Sequence, residues 1–289
     1  MDKFALFIKK RLKDTFFGDI VINFFRIRGI DEKLFVHQTK KQYIRESLNP
    51  SKDMIDAKSF FATHKQQIRK VMSCLSDDES KECFQRCIEY RCTHNIERAP
   101  KNTKGRYFVK GIINIQDNEV FVDGGGFVGD TVKEFVKKSK GRYKKIIAFE
   151  PDEYNFRMLS KLKYRDVIKI NKGLWSKNCK LHFSNGGGCG SRMSEEAVSS
   201  VKVVKLDDIP QCADATFIKM DIEGSELNAL KGAERIIRDN HPKLVICIYH
   251  SNEDMLDIIE YIHEIEPRYH LYVRHHSQFI AETVMYAVF

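Results

Sequence analysis

Seven short apolar runs between Arg106 and Phe289 limit what this chain can fold into. They are "EVFVD" (Glu119–Asp123), "KIIAFEP" (Lys145–Pro151), "VIKIN" (Val167–Asn171), "TFIKMD" (Thr216–Asp221), "KLVICIYH" (Lys243–His250), "YHLYVRH" (Tyr269–His275) and "TVMYAVF" (Thr283–Phe289). The first six read as mostly buried parallel strands, because their apolar residues run together instead of alternating. Helical stretches separate several of them, as a parallel sheet with covering helices requires. Between the sixth and seventh runs stands only "HSQFIAE", His276–Glu282. That is short of the dozen or so residues a crossover needs, so the last strand is expected to run antiparallel. The expected fold is a doubly wound, Rossmann-like α/β sheet with six parallel strands and one terminal antiparallel strand. In such sheets ligands lie beyond the carboxyl ends of the strands.

The chain ahead of Arg106 reads differently. Phe4, Phe7, Ile8, Leu12 and Phe16 fall at amphipathic-helix spacing amid basic residues, and a helical pattern returns from about Ser59 to Thr93. The polar "ERAPKNTKG", Glu97–Gly105, separates an N-terminal helical region, 1–105, from the sheet domain, 106–289. Residues 1–105 hold 22 Lys and Arg against 14 Asp and Glu, so nearly all of the net +9 charge sits there. A basic face of this kind suits an anionic neighbour or simply a solvated surface. We expect roughly residues 1–28 to touch an anionic membrane surface or to pack in a homodimer. No apolar run approaches the roughly 18 residues of a spanning helix. Lys9, Lys10, Arg11 and Lys13 interrupt the N-terminal apolar stretch, so no secretory leader is read and a cytoplasmic protein is expected. The eight cysteines are then expected as free thiols. Cys83, Cys87, Cys92 and His94 lack the C-x₂-C spacing of a zinc site, and Cys83 and Cys87, one turn apart, suit burial on one helix face.

After the first strand comes "VFVDGGGFVGDTVKEF", Val120–Phe135. Gly124, Gly126 and Gly129 fit the G-x-G-x-x-G dinucleotide fingerprint. A pyrophosphate would rest on the helix N-terminus there, yet Asp123 and Asp130 flank that position. Two carboxylates about 4 Å from a diphosphate would repel it by roughly 1–4 kcal/mol per pair. S-adenosylmethionine, which carries an ammonium and a sulfonium, reverses the sign. Asp123, Gly125 and Gly129 also form D-x-G-x-x-x-G, the methyltransferase loop pattern. Glu150, ending the second strand, can accept both ribose hydroxyls of either cofactor.

Six stretches together resemble the FkbM family of S-adenosylmethionine-dependent methyltransferases. They are "VDGGGFVGDT" (Val122–Thr131), "IIAFEPD" (Ile146–Asp152), "VVKLDDI" (Val203–Ile209), "FIKMDIEGSELNALKGA" (Phe217–Ala233), "PKLVICIYH" (Pro242–His250) and "YVRHHS" (Tyr272–Ser277). Upstream, Leu75–Arg91 resembles a helical lead-in seen in some members. Phe127 departs from the pattern, since the family often has Asn there. The resemblance implies a class I methyltransferase domain that binds S-adenosylmethionine and releases S-adenosylhomocysteine. It implies cofactor contacts at Asp123, Gly125, Gly129, Asp130, Thr131, Glu150, Pro151, Asn171, Gly173, Trp175 and Asp221. It further implies O-methylation of a hydroxyl on a sugar or glycan acceptor, or on a natural-product scaffold; bacterial members are often tied to surface-glycan synthesis. A nucleic-acid methyltransferase is a rival suggested by the basic N-terminal third, which lacks a recognisable nucleic-acid module. A cofactor-binding scaffold without catalysis is another, which the acids at several strand ends argue against.

The strand ends gather Asp123, Glu150, Asn171, Asp221, Glu223, His250 and His275/His276. An alcohol has a high pKa, so its attack on a sulfonium methyl is helped by a base. Asp221, Glu223 and His250 are the catalytic candidates, with Glu223 or His250 as base, His250 titrating near about 6.5 if unperturbed, and Asp221 orienting the acceptor or the cofactor amine. Each also has a structural use: Asp221 as a helix cap, His250 as a hydrogen-bonded histidine, Glu223 as a helix N-terminal acid. Asp207 and Asp208, with Asp221 and Glu223, supply enough carboxylates for Mg²⁺, although "LDDI" can simply organise its loop. Trp175 lies where adenine is expected and serves stacking or packing equally well. The glycine-rich Asn185–Arg192 stretch reads as a loop, suited to a lid or a hairpin tip.

Calorimetry tests the choice of cofactor: S-adenosylhomocysteine should bind and NAD should not. Asp123→Ala or Glu150→Ala should each weaken binding by about 1.5–3 kcal/mol, whereas tight NAD binding would overturn the electrostatic argument.

Overall fold

The computed structural model describes residues 52–183, 199–277 and 280–289. The expected basic N-terminal element and the Asn185–Arg192 loop lie outside them. Among the described residues three helices precede the sheet, α1 (Lys52–Thr63), α2 (Lys65–Cys74) and α3 (Asp78–Thr93). The sheet domain then runs β1 (Val120–Gly124), α4 (Asp130–Lys138), β2 (Lys145–Phe149), α5 (Glu153–Ser160), β3 (Val167–Ile170), β4 (Gly173–Leu174), β5 (Cys179–Phe183) and β6 (Ser199–Val204). After these come β7 (Phe217–Met220), α6 (Glu226–Lys231), α7 (Glu234–Asn240), β8 (Lys243–Cys247), α8 (Asp254–Ile265), β9 (His270–His275) and β10 (Thr283–Val288).

Each of the seven apolar runs forms a strand of one sheet, ordered β3-β2-β1-β7-β8-β10-β9. β10 pairs antiparallel with both β8 and β9, and the remaining pairs are parallel. Six strands therefore run one way and the terminal one returns. β10 slots between β8 and β9, so the last strand closes the sheet from inside and leaves β9 on the edge. A second sheet, β4-β6-β5, was not expected. β4 has only two residues, and the three valines of β6, SSVKVV, stand among two serines and a lysine, so neither forms a long apolar run.

Parity divides the central strands between two cores. Val120, Val122, Ile218, Leu244 and Ile246 face a cluster that also holds Val71, Leu75 and Phe84 of the N-terminal region. Phe121, Phe217, Val245 and Tyr286 face the other, under Tyr107, Phe108 and Val109. There the Phe121 and Phe135 rings stack with centroids 4.4 Å apart, a geometry that adds to their area burial. The N-terminal α-helices end at Thr93 and the first strand begins at Val120, and one core packs residues of both regions.

The helices also protect the sheet edge. Ser76 donates its N–H to Leu271 O at 2.8 Å, and the Ser76 and Ser80 hydroxyls accept from Leu271 N and Val273 N. Asp77 caps α3 by accepting from Ser80 N and pairs with Arg274 at 2.7 Å. Such cover pairs backbone groups of β9 that an edge strand otherwise leaves open. Cys83 and Cys87 are buried on α3, as their spacing implied, and the seven described cysteines are free thiols. No described helix is long and apolar enough to cross a membrane.

Candidate active site

The glycine turn exists because β1 and β7 run side by side at their carboxyl ends. Gly125 takes a left-handed φ of 78°. A Cβ on it would stand 2.0 Å from Asp221 O, so only glycine lets the turn cross the end of β7. Gly129, φ 81°, opens α4, and Phe127 between them is also left-handed at 44°. Phe127 donates its N–H to Glu150 Oε2 at 2.7 Å. Backbone from a residue atypical for the family thereby fastens the turn to the next strand end.

Beneath the turn lies an ion pair. Asp123 is 0% exposed, and Lys219 Nζ stands 3.0 Å from its Oδ1. Lys219 also donates to Gly124 O and Gly125 O at 3.0 and 2.9 Å. The cation is buried under the Tyr107 ring, 5.1 Å from its centre. Burial pushes the Asp123 carboxyl up to about 6 against the pull of Lys219. Burial pulls the Lys219 amine down, but Asp123 and Asp221 more than compensate and raise it. The acidic, glycine-lined turn therefore carries a buried counter-ion. A buried lysine balances Asp123, and the exposed acid of the turn is Asp130.

The second focus is Asp221. Its Oδ2 accepts from Tyr107 OH at 2.6 Å and Arg106 Nη2 at 2.9 Å. Its Oδ1 accepts from Tyr249 OH at 3.1 Å and lies 3.2 Å from His250 Nε2. Burial acts to raise this carboxyl, but His250, Lys219 and Arg106 outweigh it and hold it well below the usual range. His250 Nε2 is also 3.2 Å from Oε1 of the wholly buried Glu226, and its Nδ1 is 3.6 Å from Glu223. Burial opposes charge on this imidazole, yet the bonds to Asp221 and Glu226 win and raise it to about 10. Asp221 N donates to Gly124 O at 3.1 Å, which joins this focus to the glycine turn.

Several expected roles change in this setting. Asp221 caps no helix, since four side-chain donors hold it. Glu223, exposed and left-handed at φ 59°, reaches the outer face of His250. The expected His250 pKa near 6.5 is displaced upward because two acids share its Nε2. Asp207 and Asp208 do not join Asp221 and Glu223. Asp207 accepts from Arg235 N and Ile236 N, and Asp208 accepts from Asn178. His275 lies buried between Cys87 and Thr283, and His276 bridges Thr103 O and Tyr286 OH. Neither histidine reaches Asp221.

The remaining candidates line the β2–β3 side. Glu150 binds Phe127 N and Asp152 N, one per oxygen, and burial raises its pKa. Asn171 donates to Glu150 O and Pro151 O. Gly173 packs close to Val203 and Pro151. Trp175 is half-buried, with its carbonyl against Gly232. Thr131 is buried in the first turn of α4.

This donor set fits S-adenosylmethionine. Glu150 keeps acceptor capacity for ribose hydroxyls, because a carboxylate offers about four lone-pair sites. Asp123 Oδ2 is buried without a hydrogen-bond partner, and Asp130 offers an exposed charge to a cation. Sequence reading missed Lys219, Glu226, Arg106, Tyr107 and Tyr249. Only Lys219 carried a signal: a lysine inside a buried strand needs a buried acid.

The strand order, the glycine turn after β1 and the acids at the strand ends define the class I methyltransferase fold. Residues 123–272 match the methyltransferase FkbM domain, and the chain belongs to that family. The crystal structure of methyltransferase FkbM from Methylobacillus flagellatus KT is similar, with a TM-score of 0.69 and 27% identity. The match covers 79% of this chain, which spans only 60% of the length of that relative. Slighter likenesses are to the fibrillarin/Nop5p complex (TM-score 0.36, 15% identity, 61% of this chain and 75% of that one) and to a LepI variant in complex with SAH and a substrate analogue (TM-score 0.34, 10% identity, 84% and 65%). At those scores they carry no argument. No curated protein matches the chain.

The state of His250 can be measured directly. Because its folded value lies above the ordinary 6.5, its pairing stabilises the fold fully below about pH 6.5 and fades as pH rises through about 10. Nuclear magnetic resonance of the imidazole, assigned with His250→Gln, should show a midpoint near 10. A midpoint near 6.5 would break the assignment of the Asp221 and Glu226 contacts.

Proposed function

We propose that the chain transfers the methyl group of S-adenosylmethionine to a hydroxyl, specifically a sugar hydroxyl of a glycan acceptor, as its family resemblance implies. The observation that carries this reading is the meeting of Asp221, Glu226 and His250 beside the glycine turn. Bound S-adenosylmethionine supplies an electrophilic methyl carbon. The rest is work for this chain's own residues. Asp221, fixed by Tyr107, Arg106 and Tyr249, stays anionic and accepts a hydrogen bond without taking the proton. Its place at the end of β7 lets it orient the acceptor against the turn.

Glu226 fixes the His250 ring through Nε2, so Nδ1 is the atom left to receive a hydroxyl proton. Glu223, exposed beside Nδ1, passes that proton to water. His250 must first lose its own proton, which favours turnover at alkaline pH. A positioned base contributes about 10²–10⁴-fold.

The test supplies the full chain with methyl-labelled S-adenosylmethionine, a glycan panel and RNA. Label should enter glycan as an ether, and His250→Gln should cut turnover by about 10²–10⁴-fold with S-adenosylhomocysteine affinity nearly intact. Label in RNA alone, or full turnover in His250→Gln, would overturn the reading.

A further inference from the structure

We propose that Asp221, Glu226 and His250 form a binding site for one divalent transition-metal ion. Each offers a ligand atom, and these atoms lie within 4.8 Å of one another. Bonds of about 2.0–2.2 Å to one ion set neighbouring ligand atoms about 3.0–3.5 Å apart, and His250 Nε2 lies 3.2 Å from both Asp221 Oδ1 and Glu226 Oε1. Two carboxylates converge on one ring nitrogen, in the arrangement a single ion would impose.

The buried oxygens give an independent reason. Glu226 is 0% exposed, and its Oε2 has no hydrogen-bond partner. Asp254, 8% exposed, likewise has an unpartnered Oδ2, and its carboxyl is close enough to Glu226 and His250 to feel both charges. Buried carboxylate oxygens are costly unless paired or bound to a metal. The His250 imidazolium, whose Nε2 proton an ion would displace, is one charge against two carboxylates, and the other cations nearby are already shared. Lys219 is shared with Asp123 at 3.0 Å, and Arg106 with Glu282 at 2.7 Å. A divalent ion would match this surplus of negative charge.

The donor set also indicates which ion. Mg²⁺ favours all-oxygen, octahedral surroundings. One imidazole with two carboxylates suits Mn²⁺, Fe²⁺ or Zn²⁺. The ligands differ from the acids of "LDDI", which are taken up by α7 and Asn178. This inference deepens the proposed methyl transfer and rests on it for its purpose. Asp221, Glu226 and His250 would hold the ion, which would supply Lewis-acid chemistry that lowers the pKa of an acceptor hydroxyl.

The test reads metal binding alone, so the two proposals can fail separately. The full chain is titrated with Mn²⁺ while electron paramagnetic resonance follows the free ion. One ion per chain should be taken up, displaced by Zn²⁺ and not by Mg²⁺. Glu226→Gln, which keeps an acceptor for Ile222 N, should weaken binding at least about 100-fold, beyond the roughly 10–100-fold typical of outer-shell partners. His250→Gln should do the same, and Asp208→Asn should change nothing. Circular dichroism confirms that each variant is folded; if Glu226→Gln unfolds, His250→Gln carries the comparison. Undiminished free-ion signal with the wild-type chain, equal uptake by the folded Glu226 or His250 variant, or loss of uptake in Asp208→Asn would overturn the site.

Discussion

The pairing of Lys219 with Asp123 holds the strand-end edge together. One buried ammonium meets a buried carboxylate and two carbonyls of the glycine turn. Removing one partner of such a pair costs about 3–5 kcal/mol, because the other is left as an uncompensated buried charge. Lys219 comes from β7 and Asp123 from β1, so the pair fixes the turn relative to the strand that carries Asp221. The close crossing at Gly125, the left-handed backbone at Phe127 and the grip of Glu150 on that residue all depend on this placement.

Charge is arranged in a chain across the edge. Asp123 is balanced by Lys219, Asp221 by Arg106 and His250, and Glu282 by Arg106. Arg106 and Tyr107 come from the segment just after the polar stretch at 97–105. That segment lies over the face holding Phe121 and Phe217 and carries its polar ends to Asp221. The covering of the sheet and the electrostatics of the site are thus one feature. A change in the packing of Phe108 would reach Asp221 through Tyr107 and Arg106 just before it.

The sheet was legible because burial on both faces leaves continuous apolar runs. The antiparallel return was legible from the length of "HSQFIAE". The place of β10 between β8 and β9 was not, because pairing order depends on contacts distant in sequence. The turn residues Asp123, Gly125 and Gly129 stood out by spacing. Their partner Lys219 was readable as a charge inside the apolar "FIKM", yet its target could be known only from strand order. Glu226 was hidden in a helical pattern, where a first-turn acid is ordinary. The protonation state of His250 was out of reach, since it follows from two acids brought to one nitrogen by folding. "LDDI" looked like a metal motif and serves instead to start α7, a use that required the position of Arg235 and Ile236.

Lys219 holds the glycine turn through Asp123 and two carbonyls. A double-mutant cycle on S-adenosylhomocysteine affinity, with Asp123→Asn, Lys219→Met and both together, measures this directly. If the pair acts as one unit, each single change weakens binding strongly and the double change is much less than additive, with a coupling of about 1–3 kcal/mol. Full additivity, or wild-type affinity in folded Lys219→Met, would show that the turn does not depend on Lys219 and would contradict the account.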